Sequence, residues 1–338
     1  MSSPNFNPRQ KFALLAVESI YVDLPPDAEE FQLSDGTWLL KRVPVEVKSH
    51  WALWIGSLRA DQIRDANLLL VRSIASVDPT IAGDAEQHTL TQHLIKLFSV
   101  LVFDGVPEYA EADIVAGSVL DEGPIIRHMS RLKKFHPTKG YVRQPITIAR
   151  LESAVTLRQQ LDDIERRVPA NFSRFMRGMN ILKDGLEQNV GQERLHQFVR
   201  SLEALVLPSV GATRRQFVHR CQTFATANPA AITVLDEAYN LRSDAEDIQD
   251  WSRSLASYPA SEREDIALQR TRQMERLSRF AYSRILSERC LWPHFQDDTA
   301  QDAFWRLADG VRRTTWGVQL DLSTIPLVRN YDSWNRAA

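Results

Sequence analysis

Cysteine is almost missing from this chain of 338 residues. Cys221 and Cys290 alone make neither a disulfide framework nor a metal-ligand pattern. The eight histidines include no His-x-x-x-His or His-x-His pair, so neither a zinc site nor any other metal or cofactor is expected. There is no glycine-rich phosphate loop and no Gly-x-Ser-x-Gly elbow, which removes the common nucleotide-binding and serine-hydrolase readings. No run approaches the ~18 apolar residues that a spanning helix needs. The first residues, Met1-Ser2-Ser3-Pro4-Asn5-Phe6-Asn7, lack the charged-then-apolar order of a signal peptide. A cytoplasmic protein without membrane contact is therefore expected. An excess of one charge is missing too: 41 basic and 43 acidic residues give a net charge of −2. That balance excludes a general polyanion binder, because tight nonspecific binding to nucleic acid rests on phosphate neutralisation. It leaves room for a local basic cleft.

Lysine is scarce in one half. From 151 onward, 24 Arg stand against Lys183 alone, with 25 Asp plus Glu. Arginine's planar fork suits carboxylate and phosphate. A GC-rich genome, which favours arginine codons, is the plainer explanation.

Length alone suggests two domains. Residues 11–135 mix strand and helix signals. Strands are expected over 12–22, 51–55, 68–75 and 112–120, and a hairpin over 31–40 around Asp35-Gly36. Residues 89–103 carry Leu90, Leu94, Leu97, Phe98 and Leu101 at helical spacing. Trp38, Trp51 and Trp54 fit either a small-sheet core or base stacking, the core being the commoner role. Pro137, Gly140 and Pro145 mark a linker over 137–145. From 146 the pattern is helical. Helices are expected over 148–164, 172–186 and 194–207. Another, capped by Thr213 and Gln216, runs to about 227. A further one opens at Asn228-Pro229 and carries Val234, Ala238, Leu241, Ala245, Ile248 and Leu255. A long one is capped by Ser261 and Glu264, with Met274, Leu277, Ala281 and Ile285 inward, and 298–309 closes the set. Residues 317–323 alternate like a strand, and Trp316, Ile325, Leu327, Tyr331 and Trp334 make the tail apolar. Such a tail packs on the body or on a second protomer. The expected architecture is an α+β N-terminal domain over 1–136, the linker, an all-α bundle over 146–310 and the tail over 311–338.

Two blocks carry a family resemblance. One is Arg194-Leu195-His196-Gln197-Phe198-Val199-Arg200-Ser201-Leu202-Glu203-Ala204-Leu205, followed by Arg215-Gln216-Phe217-Val218-His219-Arg220. The other is Tyr239-Asn240-Leu241-Arg242-Ser243. Together, over about 150–310, they resemble the HEPN superfamily, close to its Apea-like branch. The resemblance implies a HEPN-type helical bundle, a symmetric homodimer, RNA or a nucleotide as ligand, and a bacterial defence or toxin-type setting with an unidentified protein partner. Active members are metal-independent endoribonucleases that use Arg, four to six residues, then His.

The chemistry explains those types. Arginine binds the scissile phosphate, and histidine exchanges a proton with an attacking or leaving oxygen near neutral pH. Carried over, the arginine falls on Arg242, the polar residue after it on Ser243, and the histidine position at or near Asp247. No histidine lies between His219 and His294. An exposed aspartate, with a pKa of about 3.9, is a poor general acid at neutral pH. Residues five apart on a helix point about 140° apart and residues four apart about 40°, so Arg242 is expected to face Glu246. Arg131–His136, Arg214–His219 and Arg289–His294 fit the spacing, about as many as composition alone produces. Of these, His219 is the best candidate to face Arg242. The candidate catalytic set is thus Arg242, Asp247 and His219. The candidate nucleic-acid contacts are Arg242, Ser243 and Arg215. Three readings follow: an RNA- or nucleotide-binding protein with a degraded motif, a metal-independent endoribonuclease, or a dimeric interaction scaffold in which Arg242 only pairs with Glu246.

Overall fold

The computed structural model describes residues 7–17, 22–23, 30–41, 55–66, 68–103, 112–132, 135, 146–168, 170–246 and 253–325. They are mainly α, with an α+β N-terminal region, as the sequence pattern predicts. The described residues up to Phe135 form one compact unit together with 146–158, and those from 159 to 325 form a second. The division therefore falls within a helix, Ile148–Glu165, rather than at its start.

The first unit is built on an antiparallel sheet. Its strands are β1 (Gln10–Val17), β3 (Glu30–Gln32), β4 (Trp38–Leu40), β5 (Leu68–Ala75), β6 (Ala112–Leu120) and β7 (Gly123–Arg131), in the order β3-β4-β5-β1-β6-β7. Strand β1 is central, with Leu15 opposite Leu70 on one side and Ile114 on the other. Its near-continuous burial follows from cover on both faces. Helix α1 (Ser57–Arg64) supplies Ala60 and Ile63 to a cluster with Leu14, Ala16, Leu69, Val71 and Val115. Helix α2 (Ala85–Phe103) packs on β1, β5 and β6 with Leu90, Leu94, Leu97 and Phe98 buried. A short parallel pair joins β2 (Val22–Asp23) to β8 (Ile146–Thr147). Trp38 packs partly buried against the α1 cluster, the core role. Residues Trp51 and Trp54 lie outside the described residues, as do Pro137, Gly140 and Pro145 of the expected linker. Ile55, assigned to a strand from sequence, is helical.

The second unit is a helical bundle. After α3 (Ile148–Glu165) come α4 (Ser173–Glu187), α5 (Gly191–Val206), α6 (Thr213–Cys221), α7 (Pro229–Glu246) and α8 (Arg263–Ser287). Helix α5 is its axis and packs on α4, α6, α7 and α8. The reason is its wide apolar face: Leu195, Phe198, Val199, Leu202, Leu205 and Val206 are all fully buried. Each such side chain contributes about 1.5–3 kcal/mol on burial. Met274, Leu277, Ala281 and Ile285 of α8 are also fully buried. Arg220 donates to the carbonyls of Val206 and Leu207 at 2.6 and 2.5 Å, placing a cation at the carbonyl end of α5.

Several helix ends differ from expectation. Asn228 caps α7, accepting from the Ala231 N–H at 2.7 Å. The Thr213 capping box does not form: Thr213 is already helical, and Gln216 accepts from the Ser209 N–H instead. Helix α6 stops at Cys221, where the chain turns. Ser261 sits in a single tight turn, Ala260–Glu262, before α8, so it does not cap that helix. Leu255 is buried outside α7. The expected closing helix is present as α10 (Asp298–Arg306), with two further short helices around it, α9 (Trp292–Phe295) and α11 (Asp309–Trp316). The described part of the tail packs on the bundle. Leu320 exchanges backbone hydrogen bonds with Phe224 and Thr226, and Trp316 is buried against Phe224 with ring centroids 4.5 Å apart. Residues Leu327, Tyr331 and Trp334 lie outside the described residues.

Candidate functional site

Two polar stripes meet where α5 packs on α7. On α5 the residues beside the apolar face recur at helical spacing: His196, Arg200 and Glu203. On α7 the matching positions are Tyr239, Arg242 and Glu246. Burial of Phe198, Leu202, Leu235 and Ala238 brings the stripes together. Phe217 steadies Tyr239 through a tilted ring contact at 5.3 Å.

Arg242 is the hub. One guanidinium nitrogen donates to Glu246 Oε2 at 2.5 Å within α7, and another to Glu203 Oε2 on α5 at 3.3 Å. Its guanidinium carbon lies 5.7 Å from the Tyr239 ring centre. The Arg242 side chain is 15% exposed and Glu203 17%, whereas Glu246 is 53% exposed. The expected i,i+4 pair is therefore present, and an exposed pair of this kind contributes only ~0.3–0.5 kcal/mol. Arg200 is exposed and makes no ion pair among the described residues.

The surroundings shift two acid–base groups toward their neutral forms. Burial raises the Glu203 pKa and nearby Glu246 raises it further, while Arg242 and Arg200 oppose them. Burial lowers the His196 pKa, and the Arg242 and Arg200 charges add to that. The buried Nδ1 of His196 has no hydrogen-bond partner among the described residues. A carboxyl biased toward its protonated form thus stands 3.3 Å from an arginine, with an imidazole biased toward neutrality on the same helix face.

The sequence-predicted residues divide. Arg242 is central. Ser243 is half-buried and its hydroxyl donates to the Tyr239 carbonyl at 3.2 Å, so it serves its own helix. Asp247 lies outside the described residues. His219 is not among the groups around Arg242: it is exposed and its Nε2 lies 3.2 Å from Asp309 Oδ2. Arg215 is exposed on α6 and lines, with His219, an open depression of about 700 Å³. Across that depression Arg214 forks onto Asp236 at 2.7 and 2.6 Å. Arg-to-His spacing along the chain does not point to His196. The signal was the polar 196/200/203 stripe beside an otherwise apolar face.

A second charged cluster, which no local sequence pattern marks, lies in the N-terminal unit. The β3–β4 turn, closed by Gly36 at φ 84°, presents Asp35. Asp35 accepts from the Thr37 N–H at 2.9 Å and lies 2.7 Å from His93 Nε2, with Arg72 and Arg158 at 3.9 and 3.7 Å. Ser34 on the same turn donates to Glu152 of α3 through its N–H and its hydroxyl. Although burial pushes the Asp35 carboxyl up, its bonds to His93 and Thr37 hold it well below the usual range. The cluster ties the first turns of α3 to the hairpin. Among the described residues no group of three or more His, Cys, Asp or Glu side chains is arranged to hold a metal, and no helix is long and apolar enough to cross a membrane.

Compared with protein-family models, with curated proteins and with solved structures, the chain matches none.

Proposed function

We propose that this is a HEPN-type protein that binds RNA or a nucleotide through Arg242 and has lost the family's cleavage chemistry. One observation carries the reading. Arg242 is held in a fixed orientation at a helix–helix seam by two carboxylates, beside Arg200 and His196, while the motif position for histidine falls at or near Asp247. A pre-oriented guanidinium with an exposed carboxylate partner can exchange that carboxylate for a phosphate, because both present paired oxygens to the same fork. The family's homodimer, which brings two such seams together, and its defence-type setting belong to the same proposal.

A specific observation favours a second reading, a metal-independent endoribonuclease. Next to Arg242, burial raises the Glu203 pKa and lowers that of His196, directions that favour a proton donor and a proton acceptor beside a phosphate-binding group. End-labelled mixed RNA incubated with the purified protein in EDTA separates the two. Binding on a filter without cleavage, lost in Arg242→Ala, is the expected result. Cleavage that persists in EDTA and is lost in Arg242→Ala establishes the enzyme instead. If neither protein binds or cuts RNA, the Arg242–Glu246 pair is only structural and the scaffold reading replaces both.

A further inference from the structure

We propose that Glu246 acts as a built-in competitor at this seam, occupying on Arg242 the place that a nucleic-acid phosphate takes when it binds. The inference rests on the phosphate-binding reading and adds how the site is regulated.

The two carboxylates on Arg242 are not equivalent. Glu203 comes from the neighbouring helix and is largely buried. Releasing it would leave a buried polar group unsatisfied. Glu246 sits on the same helix as Arg242, one turn on, with more than half of its side chain in solvent. Its release exposes nothing new, and water takes over the carboxylate at little cost. Glu203 is therefore the positioning partner and Glu246 the leaving one.

The location of the Glu246 carboxylate also fits an anion site. It lies near enough to influence the protonation of both His196 and Glu203. Arg200, exposed and without an ion pair among the described residues, acts on the same two groups. A phosphate in place of Glu246 thus meets Arg242 and brings more negative charge than the carboxylate it displaces. In the resting protein the exposed Glu246 carboxylate offsets the charge of Arg242. That agrees with a chain that is not a general polyanion binder.

The test is the affinity of a fluorescein-labelled single-stranded RNA of mixed sequence, read by anisotropy, for wild type, Glu246→Gln, Arg242→Ala and the double variant. Glu246→Gln keeps the shape of an exposed side chain, and circular dichroism checks that the fold is kept. The expected result is RNA binding roughly tenfold tighter in Glu246→Gln, because a charge at contact distance from the ligand is removed. That gain disappears when Arg242→Ala is added. Inorganic phosphate at millimolar levels displacing the RNA from Glu246→Gln, but not lowering the residual binding of the double variant, assigns the recognised group to phosphate itself. If Glu246→Gln binds no tighter than wild type while Arg242→Ala abolishes binding, the competitor role is overturned and the phosphate-binding reading stands. If the gain survives Arg242→Ala, it reflects general charge and the competitor role is equally overturned. No binding by any of the four proteins overturns both.

Discussion

Arg242 on α7 reaches Glu203 on α5 at 3.3 Å while a second nitrogen of the same guanidinium holds Glu246 at 2.5 Å. One contact is between helices and largely buried; the other is within a helix and largely exposed. That asymmetry gives the two glutamates different work. Glu203→Ala should therefore free Arg242 from its orientation and weaken RNA retention several-fold, whereas Glu246→Gln should strengthen it. Filter binding of both variants side by side checks the pairing, and the same direction of change in both would sink it.

His196 makes a pH prediction. Its folded-state pKa lies below the ordinary 6.5. The unfolded chain then takes up a proton at a pH where the folded protein does not, so stability falls as pH drops through the window just below 6.5. His196→Gln removes that contribution. Urea unfolding at pH 7.5, 6.5 and 5.5 should show a shallower acid loss in the variant. Equal slopes would mean that the imidazole protonates alike in both states.

A buried ionic group joins α5 to α8. Arg194 and Arg279 each place a nitrogen 2.9 Å from Glu275, and the three side chains are 6%, 6% and 1% exposed. Glu275→Ala leaves guanidinium charge buried without this carboxylate and should cost ~3–5 kcal/mol. Chemical denaturation measures it; a loss below about 1 kcal/mol would show that water reaches the arginines.

At Gly178, α4 packs closely on α5 and α8. A methyl group there would meet Tyr282 Oη at 1.9 Å and Ala204 Cβ at 2.7 Å. Tyr282 cannot retreat freely, since its hydroxyl donates to the Ser201 carbonyl at 2.8 Å. Gly178→Ala should destabilise the bundle by ~1–3 kcal/mol through overpacking. Asn228→Ala, which removes the α7 cap, should cost ~1 kcal/mol. Thermal unfolding of each variant is the check, and wild-type stability in either would contradict the packing or capping described.

Where apolar periodicity was strong, the fold could be read from sequence. The α5 face, the α8 stripe and strands β1, β5 and β6 follow from their apolar residues, and the 31–40 hairpin from its Asp35-Gly36 turn. Strand β7 could not, because Arg127, His128 and Arg131 interrupt any alternation, and among the described residues it pairs with β6 alone. Helix α1 buries only Ala60 and Ile63, too few for a visible stripe. Helices do begin at Thr213 and near Ser261, but the capping pairs do not form, since Gln216 accepts from the Ser209 N–H and Ser261 lies in the tight turn before α8. At the site, Arg242 and its pairing with Glu246 follow from helix geometry within one segment. His196, Arg200 and Glu203 come from a helix more than thirty residues earlier, and only tertiary packing brings them to Arg242. His93 reaches Asp35 in the same way, across 58 residues.

The central claim is that Arg242 meets a nucleic-acid phosphate. The most direct measurement is the salt dependence of single-stranded RNA binding for wild type and Arg242→Ala. The account predicts weaker binding in the variant and a slope of log affinity against log salt that is shallower by about 0.7 for the lost phosphate contact. Equal affinities and equal slopes would contradict it, leaving the Arg242 cluster as a bond between two helices and nothing more.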